Sequence, residues 1–184
     1  MTVTVRTALR DDAASIARVR TETWRAAYAG LIDDAVLARM DPAAEAVARA
    51  SRWEELHADP RGCELIAEHD GRLAGLAALG PSLDADLPDD VQVYAVYALP
   101  EFWSRGIGHA LLVEAEARLR AVGWTHAHLW VLEGNERAAA FYEAHGWRED
   151  GVTTVDERRG VDGRVHPMLE RRSERDLGEA IPPR

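Results

Sequence analysis

Pro100-Glu101-Phe102-Trp103-Ser104-Arg105-Gly106-Ile107-Gly108-His109-Ala110-Leu111-Leu112 is the stretch on which the reading of this chain turns. Upstream of it, Val91–Leu99 is rich in Val and Tyr and ends at Pro100, the pattern of a strand. Downstream, Ile107, Leu111, Ala115, Leu119 and Val122 recur on one helical face, and Gly123 stands at the C′ position. A strand therefore runs into a glycine loop, and the loop opens a helix. The first N–H groups of that helix lack internal partners and carry the positive end of its dipole, which suits a phosphate. The glycines let a ligand approach the backbone closely. Two phosphate loops fail against these residues. A Walker loop needs Gly-Lys-Ser/Thr, and the chain contains no Lys. A dinucleotide fingerprint needs a small residue where Leu111 stands. Taken alone, the Gly-x-Gly reads as a turn that caps an amphipathic helix.

A second stretch lies just past the next strand: Asn135-Glu136-Arg137-Ala138-Ala139-Ala140-Phe141-Tyr142-Glu143-Ala144-His145-Gly146-Trp147. Together the two resemble the acetyl-CoA signature of the GNAT superfamily. There, Arg/Gln-x-x-Gly-x-Gly/Ala precedes Asn-x-x-Ala-x-x-Phe/Tyr-Tyr-x-x-x-Gly-Phe/Trp. Order and spacing agree over about residues 91 to 150, and the remainder agrees by element order. One position departs, since Trp103 stands where the family usually has Arg or Gln. Backbone amides do most of the phosphate binding, so that swap alters loop packing more than the ligand, and Arg105 offers a charge nearby.

The resemblance implies acetyl-CoA as cosubstrate, no metal, and acetyl transfer to a primary amine by direct attack in a ternary complex. It implies that Val96, Tyr97 and Ala98 present backbone groups to the pantetheine arm. Trp103, Ser104, Arg105, Gly106, Ile107 and Gly108, with His109 and Ala110, would wrap the pyrophosphate. Asn135 would hydrogen-bond the pantetheine end, and Tyr142 would protonate the departing thiolate. Asn135 equally suits an N-cap, and Tyr142 the buried face of a helix. Where related sequences place a carboxylate base, this chain has Gln92 on one strand and Trp130 on the next. The base is therefore sought on the first helix. Glu22 or ordered water would take the proton, with Trp24 and Tyr28 lining a pocket for a small cationic amine. Transfer to a protein or peptide, and a non-catalytic acyl-CoA-binding module, are the alternatives.

Working outward, Val3 and Val5 alternate as a first strand, and Asp11 and Asp12 precede a helix running to about Tyr28. Further helical stretches follow Asp33, break at Asp41-Pro42 and resume to about His57. Asp70-Gly71 joins the strands Cys63–His69 and Arg72–Leu79, the strongest hairpin signal in the chain. Ala127–Leu132 reads as a central strand, Glu136–Ala144 as a helix, and two strands lie near Trp147–Glu157 and Arg164–Arg172. This order is an α+β sandwich. The resemblance adds a mixed, largely antiparallel sheet with flanking helices and a splayed parallel pair at the cofactor site. The domain is expected over residues 1–173, with a flexible tail over 174–184.

The chain has 184 residues, 47% of them apolar, and a net charge of −10. That length suits one domain, and that charge argues against a nucleic-acid partner. Cys63 stands alone, which rules out an intrachain disulfide, and reads as a buried apolar residue. With neither a targeting segment nor a membrane span read from the sequence, the expected setting is the cytoplasm, as a monomer or homodimer away from membranes. His126 and His128 read as surface histidines. Glu114, Glu116, Arg118 and Arg120 read as the solvated face of a helix.

Overall fold

The computed structural model describes residues 2–178 of the 184. β1 (Val3–Thr7) leads through a 3-10 turn to α1 (Ala13–Ala27). Short helices follow: α2 (Asp34–Arg39), α3 (Pro42–Ser51) and α4 (Trp53–Leu56). The starts of α2 and α3 are set by capping aspartates. The Asp33 carboxylate accepts the Ala35 N–H at 2.8 Å, and that of Asp41 accepts Ala43 and Ala44 at 2.9 and 3.1 Å, ahead of Pro42 at the first turn. Asp12, at the N-cap of α1, bonds none of that helix's amides through its side chain: the carboxylate turns back to the Leu9 N–H at 2.7 Å and to Arg6 at 2.8 Å.

β2 (Cys63–His69) and β3 (Arg72–Pro81) form the expected hairpin, with Asp70 and Gly71 at φ +50° and +77°. Then come β4 (Val91–Ala98), α5 (Ile107–Ala121), β5 (His126–Leu132), α6 (Glu136–Ala144), β6 (Arg148–Arg159) and β7 (Val165–Asp176). The seven strands lie in the order β1-β2-β3-β4-β5-β7-β6. Every neighbouring pair is antiparallel except β4–β5. That parallel pair registers at Gln92↔His128 alone, so the strands part and β4 runs on to Ala98 against β3 only.

The sheet's core face buries Leu65, Ala67, Ala77 and Leu79 together with Ile107, Leu111, Ala115 and Leu119 of α5. α5 seats on β3 at Gly75. A Cβ there would lie 2.6 Å from the Tyr97 carbonyl oxygen and 2.7 Å from Ile107 Cγ2, so the helix touches the sheet where β3 carries no side chain.

Two expectations need correcting. β7 continues past residue 173 to Asp176, and Leu177 is buried in the core, while residues 179–184 of the expected tail lie outside the described residues. The extension pairs with β5 at Ala127↔Arg175 and His126↔Asp176, and it brings Arg175 to Glu116, which is buried rather than solvated. Its carboxylate meets Arg120 and Arg175 at 2.9 Å each and accepts Trp147 Nε1 at 3.2 Å. Charges pulled into the interior persist when paired and hydrogen-bonded in this way.

Gly75→Ala tests the seating of α5. The near neighbour is a backbone carbonyl that cannot swing aside, so a loss of about 1–3 kcal/mol is expected in urea denaturation, with the thermal midpoint falling by roughly 2–4 °C per kcal/mol.

Candidate active site

The parting of β4 from β5 leaves a cleft of about 860 Å³ between them. Backbone alternation sets what β4 offers to it. Leu99 N–H donates to the Ala74 carbonyl at 2.9 Å, so Leu99 and Tyr97 turn their backbone groups toward β3, and Ala98 and Val96 turn theirs toward the gap. The Ala98 carbonyl is already taken, receiving Trp103 Nε1–H at 2.8 Å and Thr23 Oγ1–H at 3.0 Å.

One wall of the cleft is the start of α5. Ser104 and Gly106 adopt φ of +59° and +83°, and the left-handed Gly106 is the residue before the first helical turn. A Cβ on Gly106 would meet nothing within 4 Å, so it is the positive φ that calls for glycine. At Gly108 the reason differs, because a Cβ would lie 3.3 Å from the Phe141 ring. Trp103, where the resemblance sets Arg or Gln, carries the Arg137 guanidinium 4.4 Å above its ring, and Arg137 also donates to Ser104 Oγ at 3.3 Å. Arg137 is thus the cation in the cleft lining beside the loop. Arg105 is exposed outside that lining, and Ala110 lies outside it as well. His109 Nδ1 stands 2.9 Å from His145 Nε2, and His145 Nδ1 stands 2.7 Å from the Phe141 carbonyl. A carbonyl only accepts, so with neutral rings the hydrogens run from His109 to His145 to Phe141.

The remaining expected ligand residues converge here. Val96, Tyr97, Ala98, Trp103, Ser104, Gly106, Ile107, Gly108, His109, Asn135 and Tyr142 all line the cleft. Asn135 is the N-cap of α6, its Oδ1 accepting Ala138 N–H at 3.2 Å, which leaves the amide hydrogens to face the lining. Tyr142 is buried, and desolvation with the neighbouring Tyr97 holds its hydroxyl well above the usual tyrosine range. It is a phenol that stays protonated.

The far end of the cleft is aromatic and acidic. Trp24 and Tyr28 meet edge to face at 4.9 Å, and Trp24 Nε1 donates to the Tyr97 hydroxyl at 2.9 Å. Trp130 Nε1 donates to both Asp84 carboxylate oxygens at 3.0 and 3.2 Å. Glu22 does not reach this end: it lies outside the lining, partly exposed, and pairs with Arg18 at 3.5 Å one helical turn back. The carboxylates that do line it are Asp156 on β6 and Glu170 on β7. Asp156 is paired with Arg158 at 2.7 Å. Glu170 is half-buried, and desolvation first, then Asp156, raises its carboxyl above the ordinary range, against the pull of Arg158. Sequence reasoning missed Glu170 because β7 enters the sheet beside β5 only through a long-range pairing, Leu132↔Glu170. A signal was present in Met168, whose burial on this strand puts Glu170 two residues on, on the same face.

His128, expected at the surface, is fully buried where the strands part. Its two ring nitrogens face Asp90 at 2.9 Å and Asp84 at 3.0 Å. Among the described residues no group of three or more His, Cys, Asp or Glu could hold a metal ion, and no helix is long and apolar enough to cross a membrane.

A mixed sheet parted at one parallel pair, with a helix N-terminus and a buried phenol in the gap, is the architecture of GNAT transferases. Residues 24–147 match the family model described as the acetyltransferase (GNAT) family, and the chain belongs to that family. It is 29% identical over 143 residues to YuaI of Bacillus subtilis strain 168, an uncharacterized N-acetyltransferase, covering 78% of this chain and 79% of that one. Against an uncharacterized N-acetyltransferase of Mycobacterium bovis it is 34% identical over 107 residues, 57% of this chain and 65% of the relative. A phosphinothricin acetyltransferase of Sinorhizobium meliloti, solved with AcCoA, superposes at a TM-score of 0.72 with 22% identity, covering 100% of this chain and 93% of that one.

The raised carboxyl of Glu170 has a consequence for stability. Its folded value lies above the ordinary 4.5, so over that window the folded state holds more protons than the unfolded one and stability falls as pH rises. Glu170→Gln is expected to melt above the parent at pH 7 and to lose the advantage below about pH 4.5, the ordinary glutamate value. Scanning calorimetry across that range measures it.

Proposed function

We propose that this protein transfers the acetyl group of acetyl-CoA to a primary amine, by direct attack of the amine on the thioester within a ternary complex. The observation that carries the reading is the meeting of three features in one cleft: the Gly106–Gly108 helix start, the unpaired edge of β4 and the buried hydroxyl of Tyr142. The residues fit acetyl-CoA. Space stands open over Gly106, free amides lie at the start of α5, Arg137 adds a cation beside them, and the cleft is long enough to reach from the loop to β7.

In this reading the N–H groups that open α5 hold the pyrophosphate, and His109 and Arg137 flank it. Val96 and Ala98 direct backbone groups at the pantetheine arm, and Asn135 adds its amide. The Ala98 N–H faces the oxygen on which negative charge develops, a contribution that is worth about 3–4 kcal/mol where single donors have been removed from other enzymes. Tyr142 donates to the sulfur as the C–S bond breaks. Its proton is far less acidic than a thiol's, so transfer is driven by a proton returned from the attacking nitrogen once that nitrogen has become cationic. The departure of Trp103 from the family pattern is compensated from another element, since Arg137 arrives from α6 to lie on the indole. A panel of amines and peptides with acetyl-CoA, followed by released thiol, tests the reading and sorts small acceptors from polypeptides.

Gly106→Val would force a β-branched residue to φ +83°, and should abolish the calorimetric heat of CoA binding while the circular dichroism stays that of the parent. Absence of that heat in the parent protein would refute the cofactor assignment. Tyr142→Phe is expected to lower turnover by about 10²–10⁴-fold with CoA affinity little changed. Unchanged single-turnover rates would remove Tyr142 from its role.

A further inference from the structure

We propose that Glu170 receives the ammonium group of the acceptor at the far end of the cleft and takes its proton, making Glu170 the catalytic base and an aromatic-bodied monocation the acceptor class. The proposal rests on the acetyltransferase reading above and deepens it.

The argument starts from who is paired with whom. Asp156 is neutralised by Arg158 at 2.7 Å, and Asp84 is held by Trp130 Nε1 and by His128. Arg172, two residues from Glu170 on the same strand face, is held by Asp150 at 2.6 Å and Asp86 at 2.8 Å. Glu170 has no such partner: among the described residues no hydrogen bond or ion pair reaches its carboxylate, and Arg158 acts on it only through space, from its pairing with Asp156. A half-buried carboxylate left without a donor costs stability, and the cost is offset when a ligand brings the donor and the opposite charge. The charged and titratable groups facing it from the surrounding elements are Arg20 and Tyr28 of α1, Tyr97 of β4, Asp84 of the β3–β4 loop, and Asp156 and Arg158 of β6, with Arg20 itself neutralised by Glu45 at 2.7 Å. They leave the end net acidic, which is complementary to one ammonium. Its walls are Trp24, Tyr28, Tyr97 and Trp130, flat surfaces that suit an aromatic body; the Trp24 ring already carries Arg20 and Arg158 at 5.0 and 5.7 Å, so the ammonium is left to the carboxylate.

The proton balance closes without another reactant. RNH3+ passes one proton to the Glu170 carboxylate, and the neutral nitrogen uses its lone pair to form the C–N bond to the acetyl carbon. The C–S bond breaks, the sulfur takes the proton of Tyr142, and the nitrogen returns its surplus proton to that phenolate. Glu170 then releases its proton to solvent. Burial aids the first transfer on both sides, since it raises a carboxyl and lowers an ammonium.

The probes are benzylamine and its neutral match, benzyl alcohol. By NMR titration without acetyl-CoA, the parent should bind benzylamine at least tenfold more tightly than Glu170→Gln does, while benzyl alcohol binds both alike. In turnover, the parent should show an acidic limb in kcat/KM that Glu170→Gln lacks, with a rate lower by about 10²-fold or more and partial recovery in Glu170→Asp. The acetyltransferase reading is tested separately, by CoA binding and thiol release in the parent. If the parent acetylates amines and Glu170→Gln keeps the same rate, limb and benzylamine affinity, the role of Glu170 is overturned while that reading stands. If the parent binds no CoA and acetylates none of the amines, both fall together.

Discussion

Everything at the centre of this molecule follows from one place where two parallel strands cease to pair. β4 and β5 meet at Gln92 and His128 and then diverge. A sheet does not leave backbone groups unpaired without restraint, and here the restraint is a buried imidazole held between Asp84 and Asp90. Those carboxylates come from the β3–β4 connection, which is also tied down by Gln92, whose Oε1 accepts the Leu83 N–H at 3.1 Å, and by Trp130. The acidic connection, which reads as a polar loop, is the bracket that pins the strands at the point of parting. Beyond it the edge of β4 is free to bind something else.

The two ends of the resulting cleft were legible in the sequence to different degrees. The loop end is written locally. Gly106, Gly108, Asn135 and Tyr142 sit within two short stretches whose spacing reflects the geometry of a helix start and a helix face, so residue order carries the site. The far end is assembled from α1, β4, β5, β6 and β7, elements far apart in the chain, and only sheet topology brings them together. Trp24 and Tyr28 could be found because an aromatic pair at helical spacing is visible in one segment. Glu22 shares that helix, but its direction is about 120° from Tyr28 and about 140° from Ala27 around the axis, and the carboxylate turns to Arg18 instead. Glu170 and Asp156 lie on strands whose neighbours are charged, and apart from Met168, two residues before Glu170, nothing local separates them from the solvent-facing residues on either side.

The same contrast explains the corrected polar residues. Glu116, placed among Glu114, Arg118 and Arg120, reads as part of a solvated stripe, and its i,i+4 partner Arg120 supports that reading. What buries it is Trp147, from the end of the second motif, together with Arg175 from the last strand. The conserved geometry of a helix says which way a side chain points, while the depth of the cover over it depends on segments that arrive later in the chain. Arg137 teaches the converse. A guanidinium missing from the expected loop position is present in space, delivered by the next helix onto the ring that replaced it.

The arginine-only makeup of the chain reaches further than the phosphate loop. Each side-chain cation that rims or pairs near the cleft, from Arg137 to Arg158 and Arg172, is a guanidinium, and the other basic nitrogens in the lining are the imidazoles of His109 and His145. A guanidinium is too basic and too delocalised to act as an acyl acceptor at neutral pH. With no lysine in its sequence, the protein carries no side-chain primary amine on which an activated acetyl group could be lost. Acetyl groups found on its side chains would therefore not be amides of lysine.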